Sequence, residues 1–197
     1  GKNFENTWDV VAPKSGRVKM VSELIDSAVM PGTQGGPLMH VIAGKAVAFK
    51  EALSPSFKDY CNQVVSNAKF LSNSMIELGY DIVSGGTDTH LLLIDLTAKN
   101  LSGKYAENRL EFAGITSNKN MVPFDRKSPL VTSGIRIGTP ALTTRGMKEG
   151  EMKSISSFIH RIISNIDDDS KLLQIRKEVE EMSSHFPLIM EIAHEMS

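Results

Sequence analysis

Pro31-Gly32-Thr33-Gln34-Gly35-Gly36-Pro37 leads into Leu38-Met39-His40-Val41-Ile42-Ala43-Gly44-Lys45-Ala46-Val47-Ala48-Phe49-Lys50-Glu51-Ala52-Leu53, and Ser54-Pro55 closes the run. Pro37 suits the first position of a helix, where its missing N–H costs nothing and its restricted φ is already helical. The segment from about Leu38 to Leu53 therefore reads as a helix. Its apolar residues point in almost every direction, so it needs cover on most sides. The residues ahead of it are too few and too polar to supply that cover, which leaves later elements or another polypeptide. Ser54 reads as the N-cap of the next helix and Pro55 as its first residue. Phe57, Cys61, Val64, Ala68, Leu71, Met75 and Leu78 then recur at three or four residues, the period of a long amphipathic helix. A boundary follows at this point. Residues 54–197 are expected to form a compact α+β domain, and residues 1–53 the edge of something larger.

Beyond the amphipathic helix, Gly79 is the expected left-handed stop. Tyr80 to Val83 and His90 to Leu96 read as two strands, joined antiparallel through Ser84-Gly85-Gly86-Thr87-Asp88. Ser102 caps a short helix that ends near Gly114, and Ile115 to Asn118 is expected to be extended. Lys119 to Pro129 reads as an irregular loop and Gly134 to Thr139 as a strand. Two helices, about Lys148 to Ser164 and Ser170 to Phe186, close the chain. The second carries Leu172, Ile175, Val179, Met182 and Phe186 on one face. Upstream of the glycine loop, residues 1 to about 20 lack a period and read as loop with one short strand.

Composition narrows the function classes. The 197 residues hold 22 Lys+Arg against 23 Asp+Glu, a formal net charge of -1, which speaks against a general polyanion or nucleic-acid binder. With 41% hydrophobic and 23% charged residues the chain is of ordinary globular composition, not disordered throughout. The single Cys61 closes no intrachain disulfide and builds no thiolate metal site. Apolar runs such as Leu91 to Ile94 are too short to cross a bilayer, and the first residues lack a basic segment followed by an apolar one. The expected location is cytoplasmic, with no membrane partner.

Several residues are candidates for chemistry. Gly32, Gly35 and Gly36 ahead of a helix either present N–H groups and a positive dipole end to a phosphate, or make a tight turn into a buried helix. The P-loop ending and the dinucleotide spacing are both missing. Arg136 lies in Ser133-Gly134-Ile135-Arg136-Ile137-Gly138-Thr139-Pro140. It is either a poorly hydrated guanidinium in need of a carboxylate or phosphate, or an arginine on the wet face of an edge strand. Asn118, Lys119 and Asn120 either line a cleft or are solvated loop residues. His40 on the apolar helix and His90 at the head of an apolar strand read as core or edge residues, and His160, His185 and His194 have no partners at metal-ligand spacing, so no metal site is expected. No local signature of a catalytic triad is present.

Ser27-Ala28-Val29-Met30-Pro31-Gly32-Thr33-Gln34-Gly35-Gly36-Pro37-Leu38-Met39-His40, Ser84-Gly85-Gly86-Thr87-Asp88-Thr89-His90, Asn118-Lys119-Asn120, Lys127-Ser128-Pro129 and Thr132 to Pro140 occur in this order. Together they resemble the C-terminal half of serine hydroxymethyltransferase, over about Ile25 to Phe186. The resemblance implies the α+β C-terminal domain of a fold-type I pyridoxal-phosphate enzyme, residues 54–197. Ahead of it would stand the tail of the α/β large cofactor domain, residues 1–53, with the interface glycine loop and the buried helix. It implies a transferase of one-carbon metabolism and glycine biosynthesis. That enzyme interconverts serine plus tetrahydrofolate with glycine plus 5,10-methylenetetrahydrofolate, as a homodimer or homotetramer.

Carried over position by position, Arg136 resembles the arginine that holds the substrate carboxylate. Gly35 and Gly36 resemble the backbone that reaches the cofactor phosphate of the other subunit. Asn120, Ser128, Pro129 and Leu130 resemble the folate-binding part. Family members also carry a Thr-Thr-His-Lys-Thr segment with the Schiff-base lysine and a Gly-Pro-Arg-Gly-Gly turn, and neither occurs in residues 1 to about 20. Lys2 stands at about the expected distance, but Gly1 and Asn3 do not match. The expectation is a chain with substrate and folate contacts, no catalytic residue of its own, and no turnover alone, since the cofactor does the carbanion chemistry. The alternatives are a noncatalytic folate-binding or subunit-docking module, or one chain of a split enzyme.

Overall fold

The computed structural model describes residues 7–187. Residues 1–6, with Lys2, and 188–197, with His194, lie outside the described residues. The chain divides into two units, residues 1–53 and residues 54–197. Among the described residues, no helix is long and apolar enough to cross a membrane.

In the first unit, strands β1 (Thr7–Val11) and β2 (Val18–Met20) pair antiparallel, a hairpin where one short strand was expected. The turn is closed by Ala12 N donating to Arg17 O and Gly16 N to Ala12 O. Helix α1 (Val21–Ser27) was not expected. Its Val21, Leu24 and Ile25 span under two turns, too few to register as a period. Glu23 fastens its first turn by accepting from Met20 N at 2.8 Å and pairing with Arg17.

Ala28–Thr33 winds into a wide π-helical turn, so the glycine loop is coiled at its start. Helix α2 (Met39–Ala52) has Leu38 as its N-cap. Pro37 therefore stands just outside the helix, a correction to the expected start. The all-round apolar pattern is present as read, and α2 buries none of its residues. Phe49 is 68% and Leu53 87% exposed.

The second unit begins with α3 (Pro55–Glu77), whose cap is Ser54 Oγ accepting from Phe57 N at 3.2 Å. Gly79, at φ +79°, turns the chain out of the helix in a conformation that an L side chain resists. Val64, Ala68, Leu71 and Met75 of the expected stripe are buried. Phe57 and Cys61 are exposed, so the stripe is used only from the third turn onward.

Four strands form one antiparallel sheet: β3 (Asp81–Ile82), β4 (Leu91–Asp95), β5 (Asn118–Asn120) and β6 (Gly134–Gly138), in the order β3-β4-β6-β5. β3 and β4 pair as expected. The extended segment expected at Ile115 to Asn118 lies further along, and Lys119 and Asn120 belong to a strand, not a loop. This edge strand has no apolar alternation to reveal it, and pairing with β6 creates it.

Ile82, Leu92, Ile94, Ile135 and Ile137 form the buried face of the sheet. They share a core with α3, α4 (Gly103–Phe112), α6 (Glu149–Ser164) and α7 (Asp169–Ser184). Full burial of each such side chain contributes about 1.5–3 kcal/mol. The closing helices fall where expected, and Leu172, Ile175 and Val179 are the buried part of the last stripe. A short helix α5 (Pro140–Thr144) was not expected, being shorter than two turns. Asn67 of α3, fully buried, holds its far end by donating to Thr143 Oγ1 and Met147 O, both at 2.9 Å.

Candidate functional site

The face of the sheet opposite the core carries the candidate residues. Antiparallel partners share a face, and residues two apart on a strand return to it. In one row stand Leu93, Arg136 and Asn118, and in the next Asp95, Gly134 and Asn120. Rows on one face lie about 7 Å apart along a strand. Sheet pairing thus brings Arg136 and Asn120 to one surface.

Arg136 is exposed, and its strand is interior to the sheet. It is not a desolvated cation, because Ile135 and Ile137 point to the other face, and it stands on the open face as the second expectation has it. That expectation needs correction only in the strand, which is interior and not an edge. Its Nε donates to Asn118 Oδ1 at 3.1 Å. Among the described residues its two terminal NH2 groups take no protein acceptor, leaving the forked end open to a carboxylate.

Lys119 does not join its neighbours. It faces the helices, with Lys119 N donating to Glu107 at 3.0 Å and Nζ 3.5 Å from the same carboxylate. Asn120 is half-buried and donates from Nδ2 to Met121 O at 2.8 Å, so its amide oxygen keeps its accepting capacity. Ser128, Pro129 and Leu130 are exposed in the loop between β5 and β6, with Leu130 75% exposed. This loop is anchored where it meets the sheet. Gly103 N donates to Thr132 O and Lys104 N to Val131 O, both at 3.0 Å. A Cβ on Gly103 would stand 2.1 Å from Thr132 Oγ1 and 2.2 Å from Gly134 O, so only glycine permits the approach.

One residue of this site escaped the sequence reading. Asp125 gathers four donors from its loop, and those bonds hold its carboxyl down at about 2, with the Lys127 backbone N–H as the largest cause. An Asp two residues before Lys127, in a run bracketed by Pro123 and Pro129, is a local Asx-turn signal that could have shown part of this. The donors at Ser133 are invisible in the local sequence.

The glycine loop belongs to the other unit. Gly35 and Gly36 are exposed, a Cβ on either would meet nothing within 4 Å, and among the described residues their N–H groups have no backbone acceptor. With the start of α2 just beyond, this is a donor-rich surface of the kind that accepts a phosphate. An apolar hollow of about 360 Å³ in the second unit is lined by Ile137, Leu142, Met147, Phe158, Ile159 and Met182 among others, and by none of the candidate residues. Among the described residues no three His, Cys, Asp or Glu side chains gather as metal ligands would. Compared with known families, residues 7–159 match the family model described as serine hydroxymethyltransferase, a span that holds every candidate residue above.

Proposed function

The chain belongs to the serine hydroxymethyltransferase family, and we propose that it is the C-terminal part of such an enzyme, interconverting serine plus tetrahydrofolate with glycine plus 5,10-methylenetetrahydrofolate. Arg136 holds the carboxylate of serine or glycine. Asn120 and the Ser128-Pro129-Leu130 turn hold the folate. The observation that carries this reading is the open fork of Arg136 on the sheet face that also carries Asn120, one row away. Amino acid and folate must meet for a one-carbon group to pass between them, and neighbouring rows of one face suit that requirement.

The family is generally dependent on pyridoxal phosphate, and the residues present fit one end of it. Gly35 and Gly36 offer backbone donors that are unpaired among the described residues, as a phosphate needs. When bound, the cofactor supplies the electron sink for the carbanion chemistry. These 197 residues hold no match to the family's Schiff-base lysine segment, and on this reading they are inactive alone. The unburied apolar surface of α2 supports a homodimer or homotetramer, in which a neighbouring large domain covers it. Residues 1–53 are then the tail of that large domain and residues 54–197 the C-terminal domain of a fold-type I enzyme working in the cytoplasm.

The test is Arg136→Ala in the full-length protein. Losing hydrogen bonds from a charged donor should raise the serine and glycine dissociation constants by about tenfold to a hundredfold, with cofactor absorbance unchanged. Arg136→Lys should rescue poorly, since a point charge does not reproduce the paired bonds. Serine affinity unchanged in the Ala variant would sink the assignment.

A further inference from the structure

The loop from Met121 to Ser133, which connects β5 to β6, is closed on a single carboxylate. Asp125 Oδ2 accepts from Ser133 N at 2.8 Å and from Val122 N at 3.3 Å. Its Oδ1 accepts from Lys127 N at 2.9 Å and from Ser133 Oγ at 2.8 Å. These donors come from the beginning, the middle and the end of the loop. Val122 follows Asn120 by two residues, and Ser133 precedes the strand that carries Arg136.

The segment between them is tied down as well. Ser128 O accepts from Val131 N and Thr132 N, each at 2.9 Å, which makes Ser128 to Leu130 the tip of a tight turn. Lys127 Nζ donates to Leu101 O at 2.9 Å, fixing the approach to that turn from outside the loop. Asp125 is the hub to which the rest is referred, because its oxygens alone join Val122, Lys127 and Ser133. A carboxylate suits the task. Ionised, it is an acceptor at every lone pair and meets four donors without conflict.

We infer that Asp125 is a positioning residue for tetrahydrofolate: by holding Val122, Lys127 and Ser133 on one carboxylate it sets the distance between Asn120 and the Ser128-Pro129-Leu130 turn. This rests on the assignment of those four residues as the folate contacts. Asp125 acts through them, without touching the pterin. Preorganisation of this kind appears as affinity, since a slack loop must be ordered when ligand binds.

The experiment is a calorimetric titration of the full-length protein, loaded with pyridoxal phosphate, with tetrahydrofolate and separately with serine. Wild type, Asp125→Ala, Asp125→Asn and Asn120→Ala are compared. Asp125→Ala should weaken tetrahydrofolate about tenfold or more while serine affinity stays within about twofold. Asp125→Asn should fall between, because its one carbonyl oxygen keeps only part of the acceptor set. It also carries the test if the Ala variant does not fold. Amide exchange should rise in residues 121–133 and not in α3 or α6. Unchanged tetrahydrofolate affinity in both Asp125 variants, with binding lost in Asn120→Ala, overturns the inference and leaves the folate assignment standing. Serine and folate affinities falling together would mark a general loss of structure and also overturn it. Unchanged binding in Asn120→Ala would remove the folate assignment, and the inference with it.

Discussion

The more apolar of the two long N-terminal helices is the exposed one. α2 is hydrophobic almost all round and buries no residue, whereas α3, mixed in composition, buries Val64, Asn67, Ala68, Leu71, Ser72 and Met75. The difference lies in pattern and partners. α3 presents one stripe, and α6 and the sheet lie against it within the same unit. α2 presents no preferred side and, among the described residues, finds in its own unit only a hairpin, a short helix and a coiled loop. Apolar content states how much cover a helix needs, and only the surrounding elements state whether it is met.

The comparison breaks most sharply at Gly103. A methyl there would meet Thr132 Oγ1 and Gly134 O inside van der Waals distance. Gly103→Ala is therefore expected to cost about 3 kcal/mol, read as a lower denaturant midpoint for the second unit. A midpoint unmoved by this change would mean that the junction of α4 with the loop is slack.

A middle-sized effect is expected at the boundary. Ser54→Ala removes the Oγ that accepts from Phe57 N and should cost about 1 kcal/mol, with Ser54→Thr recovering most of it. The smallest effect on stability is expected at Phe49, on the uncovered helix. Phe49→Ala should change the unfolding free energy by less than about 0.5 kcal/mol while weakening self-association in sedimentation. Destabilisation on the scale of a core truncation would show that α2 is covered within its own chain.

α3 and α4 were legible because each combines a cap, a period and a stop. Ser54-Pro55 with Gly79, and Ser102 with Gly114, mark starts and ends by local chemistry. The β3-β4 pair was legible from its apolar run and its turn residues. α1 and α5 were too short to show a period. β5 was hidden because Asn118-Lys119-Asn120 has no alternation, and its partner β6 lies fourteen residues further on, counting from Asn120 to Gly134. Of the candidate site, Arg136 and Asn120 left two readings open in their sequence setting and were singled out by the family resemblance, and Asp125 was not, since two of its four donors belong to Ser133 across the loop.

By itself the sequence determined where α3 and α4 begin and end, that Gly79 bends the chain, and that residues 38–53 carry apolar side chains all round. These depend on φ preferences, capping and spacing, all of which act within a few residues. Tertiary structure alone decided that Arg136 is exposed on an interior strand, that Asn118 and Asn120 turn toward its face while Lys119 turns away, and that Asp125 closes the loop between them. Strand order and register join residues remote in the chain, and which face a side chain takes follows from that pairing, not from the identity of its neighbours in sequence.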